Sequence, residues 1–444
     1  MELKVNIERL RKDLESLRTI GRVSTGGVSR TSYSAADLQA RRWYVDRCAD
    51  AGIEVFVDGL GNMVAQDSKE SSDQAPVWSG SHIDSVPNGG HLDGALGAVA
   101  ALECLRRLIE AKVPLNRPVR AVVFTDEEGN YEHLLGSSGL ARGFTSEQLE
   151  GMEGRDNDRL VDRLDELGWD LDAATRTRID HGEIHAFVEL HIEQGPKLEA
   201  TGTDIGVVTS IVGLSGGKVE FEGKPDHAGT TPMRQRKDAL LASAEFLTTL
   251  PGIAASISDH SVITCGLITV EPGGANVVPG TARLTLDFRD PDADRLRALA
   301  AGIAGSAAEV AARHEVGLKW LPDTFIEPVP LDPGIRELII ASVKQLGLSH
   351  IDIPSGAGHD SQNIAWLAPT AMVFVPSKGG RSHSPAEDTA WGDIENGANV
   401  LLATLLALAS READRPAHPF TAQQTRRTME LINPSEGVGN ACTN

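Results

Sequence analysis

Cysteine is scarce, and its four positions (Cys48, Cys104, Cys265, Cys442) are far apart with no Cys-x-x-Cys pair. That spacing excludes a thiolate zinc knuckle and a disulfide framework. Long apolar runs are also absent: no stretch approaches the roughly 18 residues a membrane-crossing helix needs, so none is expected to span. Positive charge is short, with Lys+Arg at 42 against Asp+Glu at 63 and a net charge of −21. A surface that acidic is a poor partner for nucleic acid or an anionic membrane. The opening MELKVNIERLRKDLESL has the pattern of an amphipathic charged helix, not of a secretory leader. No internal repeat is visible. A reducing cytoplasm is the expected compartment.

What is present describes a globular chain of 444 residues, 41% hydrophobic, long enough for two domains or three. Ser34 as cap and Gly52 as stop bracket a helix, and Ile53–Val57 alternates as a strand. Strands are predicted at 76–78, 120–124, 186–192 and 371–375. Helices are predicted at 95–111, 334–346 and 391–409, with charged helical stretches over 151–180. Strand, loop, helix, strand is the grammar of an α/β sheet, whose ligands gather at the carboxyl ends of strands. From about Gly206 the character changes. Strands at 207–212, 218–222, 262–270 and 282–287, with helices near 238–249 and 293–314, predict a smaller inserted domain. Residues from about Arg411 are polar and aperiodic, and are expected to form a loosely ordered tail.

The chemistry-bearing residues share one topological place. The loop Gly80-Ser-His-Ile-Asp-Ser-Val-Pro-Asn-Gly-Gly-His-Leu-Asp-Gly94 carries two His-x-Asp pairs, His82/Asp84 and His91/Asp93. Imidazole and carboxylate together suit a divalent metal. His82 follows a strand, Asp93 precedes a Gly and a helix, and Glu127 and Glu128 follow a strand. His191 ends another, and His383 follows a third. Each alone is more often structural or solvated; their common position on the strand-end rim is the sharper signal. In the second domain, His227 is a candidate donor to an oxyanion. Asn276 offers an amide, and Arg289 offers a planar fork for a carboxylate.

In order along the chain stand GSHIDSVPNGGHLDGALG, FTDEEG, VELHIEQG, DHAGTTPM, GGANVVPG, DFRD, SGAGHDSQ and FVPSKGGRSHSPAE. Over roughly 5–410 this series resembles the M20-type metal-dependent amidohydrolases, and more narrowly their hydantoinase/carbamoylase branch. That branch includes N-carbamoyl-L-amino-acid hydrolases, ureidopropionases and allantoate amidohydrolases. The resemblance implies an α/β fold: a mixed-sheet dinuclear metallohydrolase domain (1–207 and 326–410) with an inserted α+β lid and dimerisation domain (208–325) and a tail (411–444). It implies two divalent ions per subunit, of Zn, Mn, Co or Ni. His82 would bind one and Asp93 bridge both; Glu128 and His383 would complete one shell and His191 the other. Asp84 would orient His82 through its other ring nitrogen, and His91 would be a loop histidine. Glu127 would be the general base and later the acid, leaving Asp126 a loop carboxylate.

On the substrate side the resemblance gives His227, Gln194, Asn276, Arg289, Gly358 and His359. His227 and Asn276 would serve the partner's site in a homodimer. The implied reaction is hydrolysis of the C–N bond of a carbamoyl or ureido group in a small carboxylate-bearing molecule. An N-carbamoyl-L-amino acid would give amino acid, ammonia and carbon dioxide. Allantoate or a bulkier N-acyl acid is the alternative within the class, and a non-catalytic binding protein on the same scaffold is the alternative outside it. Glu127 and all five ligand positions are retained, which speaks against the binding protein. An aminopeptidase fits less well, because Gln194, Asn276 and Arg289 suit ureido acids. The chain departs from many relatives at Asn130-Tyr131 with Glu132-His133, at Leu214-Ser-Gly-Gly217 and at Arg381; these positions bear on substrate choice.

Overall fold

The computed structural model describes residues 3–70, 72–322 and 325–411; the tail expected at 411–444 lies, beyond Arg411, outside the described residues. Packing divides the chain into two compact units. The first holds the residues up to Thr209, Leu331–Ile353 and the chain from His359; the second holds Ser210–Pro330 and Pro354–Gly358. The expected boundaries were 208 and 325. The second unit also keeps the segment before His359, tied by the Val212 N–H donating to the Ser355 carbonyl at 3.0 Å.

The strands in chain order are β1 (Ile53–Val57), β2 (Met63–Asp67), β3 (Val77–His82), β4 (Val119–Phe124), β5 (Ala186–Ile192), β6 (Ile205–Ile211), β7 (Gly213–Glu222), β8 (Val262–Glu271), β9 (Thr281–Asp290), β10 (Gly317–Pro322), β11 (Val329–Pro330), β12 (His350–Ser355) and β13 (Thr370–Val375). In the first unit they run β1-β2-β4-β3-β5-β13-β6, with β12 beside β6. β3, β4, β5 and β13 are mutually parallel, while β1, β2 and β6 join antiparallel. The four parallel strands are buried along their whole length, as strands covered on both faces must be.

Pleating sorts their side chains. Val119, Ala121 and Val123 face one core with Val188 and Leu190, beneath the helices Ile7–Thr19, Ala95–Glu110 and Trp391–Ala409. Trp78, Val122, Phe124 and Phe187 face the other. In this register His82 stands opposite Phe124 and His191 opposite Phe374. Both histidines, and the turns after β4 and β13, therefore reach the same carboxyl edge.

The second unit is an antiparallel sheet, β10-β7-β9-β8, with the helices Ala239–Ile257 and Ala293–Arg313 on one face. Its other face is polar: Lys319 bonds Glu220 at 3.0 Å, and Arg283 bonds Glu271 at 2.6 Å. β8 is one of its two edge strands, and it exposes Val262, Leu267 and Ile268. One expectation needs correction. The helix Ala239–Ile257 has 19 residues and a mean hydropathy of 1.4, which reaches the length and composition of a membrane span. Its many Ala, Thr and Ser residues dilute the apolar pattern seen in sequence. Ala242, Ser243, Phe246 and Leu250 are buried, and Glu245 is paired with Arg313 and His314, each at 2.6 Å.

Candidate metal centre

The centre is built where β3, β4, β5 and the turn after β13 end. His82 is the last residue of β3 and is 1% exposed. Its Nδ1 lies 3.1 Å from the Asp84 carbonyl. A carbonyl only accepts, so Nδ1 carries the proton and Nε2 is left bare. That bare nitrogen faces Glu127 Oε2 at 3.5 Å and Asp93 Oδ1 at 3.9 Å. His191 repeats the arrangement, with Nδ1 against the Ile192 carbonyl at 2.9 Å and Nε2 toward Asp93 Oδ1 at 3.2 Å. His383, exposed in the turn after β13, brings Nε2 to 3.2 Å from Asp93 Oδ2 and 3.5 Å from Glu128 Oε2.

Asp93 therefore stands between two groups, one oxygen toward His82 and His191, the other toward His383 and Glu128. The two triads His82–Asp93–His191 and Asp93–Glu128–His383 each hold donor atoms within 4.8 Å of one another. Gly94 makes the approach possible. Its φ is +61°, and a Cβ there would sit 2.3 Å from the His82 ring.

The electrostatics are those of a site built for a cation. Burial pushes the Glu127 carboxyl well above its ordinary range, and Glu128, Asp360 and Asp93 add to the rise. Burial and the charge of Asp93 lift Glu128 to about 8. Burial lowers the basicity of His191, but its bond to Asp93 more than offsets this and brings it to about 9. The bond to Asp93 raises His383 to about 9. Burial takes His82 down to about 4, so it is neutral. Glu128 Oε1 is buried with no hydrogen-bond partner. Clustered buried carboxylates facing imidazole Nε2 atoms, that of His82 bare, form an N/O donor set for a divalent ion, and the residues fit one.

A third grouping, Glu189–His191–His359, also brings its donor atoms within 4.8 Å of one another. Glu189 is already committed, with Oε1 accepting from Ser81 Oγ at 2.7 Å and Oε2 from Ser361 Oγ at 2.6 Å.

The geometry shows how the neighbouring residues stand. Asp84 orients His82 with its backbone carbonyl. Its carboxylate instead accepts the Glu128 N–H at 3.1 Å, with Oδ1 3.7 Å from the ring. Asp126 is more than a loop carboxylate. At φ +57° it accepts the N–H groups of Asn130, Tyr131 and Glu132 at 2.7–3.1 Å, and so shapes the turn that presents Glu127 and Glu128. Tyr131 turns away from the centre and packs edge-on to Tyr33 with its hydroxyl on Asp158. Gln194 donates from Nε2 to Asp93 Oδ2 at 2.8 Å. His359 is fully buried with its ring 4.6 Å from that of His191. His91 belongs to none of the metal-binding groups found among the described residues.

In the second unit, His227 and Asn276 come together: the Ala228 N–H donates to the Asn276 carbonyl at 2.9 Å, and His227 bridges to Val277. His227 Nδ1 accepts the N–H groups of Gly229 and Thr230 at 3.0 and 3.2 Å, which leaves Nε2 as the donor. Arg289 does not stand beside Asn276: it lies near the far end of β9, about 26 Å along the strand at ~3.3 Å per residue. There it is paired with Asp287, Nε to Oδ1 at 2.9 Å and Nη2 to Oδ2 at 3.3 Å, and bonded to the Gly356 carbonyl at 3.2 Å. Gly358 closes that segment of the second unit.

Reasoning from sequence missed Glu387 and Ser382. Glu387 Oε1 accepts the N–H groups of Leu92 at 2.8 Å and Asp93 at 3.1 Å. Ser382 Oγ lies 2.8 Å from Asp93 Oδ2. Both sit in the quoted segment around His383, but a loop glutamate and serine have no pattern that separates them from solvated residues.

Comparison with known proteins agrees with this geometry. Residues 78–407 match the model of Peptidase family M20/M25/M40, and the chain belongs to that family. It is 37% identical to the N-carbamoyl-L-amino-acid amidohydrolase of Paenarthrobacter aurescens, over 91% of this chain and 98% of that protein. It is 36% identical to the allantoate amidohydrolase of Bacillus subtilis, over 89% and 96%. A crystal structure of an amidase of the hydantoinase/carbamoylase family from Burkholderia multivorans superposes with a TM-score of 0.85 at 35% identity, covering 93% of this chain and all of that one. The chain is thus a metal-dependent-family hydrolase of C–N bonds outside peptide linkages.

Proposed function

We propose that this enzyme hydrolyses the carbamoyl group of an N-carbamoyl-L-amino acid, and that His82, Asp93, Glu128, His191 and His383 would hold the two divalent ions (Zn, Mn, Co or Ni) it uses. The observation that carries the reading is the division of Asp93 between two imidazole-bearing groups, 3.2 Å to His191 on one oxygen and 3.2 Å to His383 on the other. When bound, such ions polarise the scissile carbonyl and acidify the attacking water. Glu127 takes the proton of that water and returns it to the departing nitrogen, a task suited to a carboxyl whose burial favours the protonated form. The C–N bond breaks to release ammonia, and the remaining N-carboxy amino acid loses carbon dioxide. His227 presents its Nε2–H to the oxyanion. The enzyme is placed in the cytoplasm; the cysteines of the described residues are free thiols, as a reducing compartment allows.

Arg289 is assigned to the substrate carboxylate. Leu214 and Gly216, where the chain departs from many relatives, stand opposite Arg289 and Asp287 in the β7–β9 register. Substrate therefore competes with Asp287 for the guanidinium. Arg289→Ala is expected to raise KM for an N-carbamoyl amino acid about 10–100-fold, the worth of a hydrogen bond to a charged group. The corresponding amide, a poor substrate, should hardly change. Equal losses on acid and amide would move the clamp elsewhere. Allantoate is a second reading, because the relatives of both kinds are almost equally similar; ammonia release from a panel of ureido acids separates them.

A homodimer joined through the second unit is proposed as well. His227 with Asn276, and Arg289, lie at opposite ends of β9, too far apart for one small substrate to touch both within a subunit. The edge strand β8 and the helix Ala239–Ile257 expose Val262, Leu267, Ile268, Leu240 and Leu241, between 37% and 57% each. Such a face is the kind that pairs. Mixing inactive Glu127→Gln with inactive His227→Ala protein should restore activity, because one site of the mixed dimer is whole. No recovery after verified subunit exchange would refute sharing.

A further inference from the structure

We infer that Glu387 is the residue that holds Asp93 in its bridging position, an inference that rests on the two-ion reading above. Glu387 is 2% exposed and lies directly behind the metal loop. Its two oxygens have separate duties. Oε1 accepts the consecutive N–H groups of Leu92 and Asp93 at 2.8 and 3.1 Å, which fixes the backbone from which the Asp93 side chain departs. Oε2 lies 2.9 Å from Ser382 Oγ, and the same hydroxyl lies 2.8 Å from Asp93 Oδ2. One side chain therefore fixes Asp93 from the backbone and, through Ser382, from the carboxylate.

The loop is shaped around this contact. A Cβ on Gly90 would meet the Glu387 carboxyl carbon at 1.9 Å and its oxygens at 2.0 and 2.1 Å. Gly90 has no left-handed φ, so its backbone conformation suits alanine, and the three atoms nearest that Cβ all belong to the Glu387 carboxylate. The glycine is there because the carboxylate is. Groups that orient a metal ligand typically carry about 10–100-fold of the affinity. Because Asp93 serves both triads, loss of Glu387 acts on both ions at once.

The test measures metal bound per chain against buffered free zinc, with a melting curve of each metal-free protein. Glu387→Ala should weaken both equivalents together by about 10–100-fold. Glu387→Gln keeps an oxygen for the two N–H groups and an N–H for Ser382 Oγ, so it should stay near wild type. Gly90→Ala should reproduce the Glu387→Ala loss. Adding Gly90→Ala to Glu387→Ala should cost nothing further, since the methyl then enters the space the carboxylate left. Wild-type affinity in Glu387→Ala, or full additivity of the pair, overturns the inference. If Glu387→Ala does not fold, Gly90→Ala and Glu387→Gln still decide it. Wild type that never binds two equivalents sinks the two-ion reading instead.

Discussion

Glu127→Gln should lower turnover by about 10²–10⁴-fold, the usual worth of positioned acid–base catalysis, while metal content stays at the wild-type level. The substitution preserves shape and removes only the capacity to take and return a proton. Glu127 is 5% exposed, and its Oε2 is 3.5 Å from His82 Nε2 at the heart of the centre. Its neighbour Glu128 points to the other triad, 3.5 Å from His383 Nε2. The two side chains part in the Asp126 turn beyond the end of β4, so one would coordinate while the other would serve the water. The Asp126 turn fixes both and is untouched by the change. If Glu127→Gln stays within about tenfold of wild type, another group is the base.

Asp93→Ala should abolish both metal equivalents and all activity, whereas His91→Ala, two residues away, should keep both. The contrast tests the division of labour within one short loop. Asp93 is approached by three imidazoles, and it also receives Gln194 Nε2 and Ser382 Oγ at 2.8 Å. Burial alone would raise its carboxyl, yet bonds from His191 and His383 hold it well below the ordinary range. His91 has no such company; burial, with the charges of Arg18 and Arg30 adding to it, carries it down to about 4. Elemental analysis that finds equal metal loss in both variants would contradict the assignment.

Much of this was readable in the sequence where local pattern and tertiary fate agree. β5 begins and ends where its β-branched, aromatic run does, and the closing helix Trp391–Ala409 matches its apolar period. The metal-binding candidates were found because strand ends in an α/β sheet converge by topology. β2, β10 and β12 went unread: they are short and mixed in character, and their pairing partners, not their own residues, make them strands. β7 begins at Gly213, earlier than expected, and Gly217 within it pairs with Pro322 of β10, where a Cβ would meet the Leu321 carbonyl at 2.9 Å.

The two largest misreadings concern distance. Arg289 and Asn276 are close in sequence, but an extended strand carries them apart. Glu387 and Asp93 are 294 residues apart in sequence and hydrogen-bonded in the fold.

The most direct test of the account is ammonia release from N-carbamoyl-L-amino acids by protein stripped with a chelator and then titrated with zinc, manganese, cobalt or nickel. The stripped enzyme should release none, with full recovery only as the second equivalent binds. Release that survives stripping, or recovery complete at one equivalent, would contradict a centre in which Asp93 joins two ions.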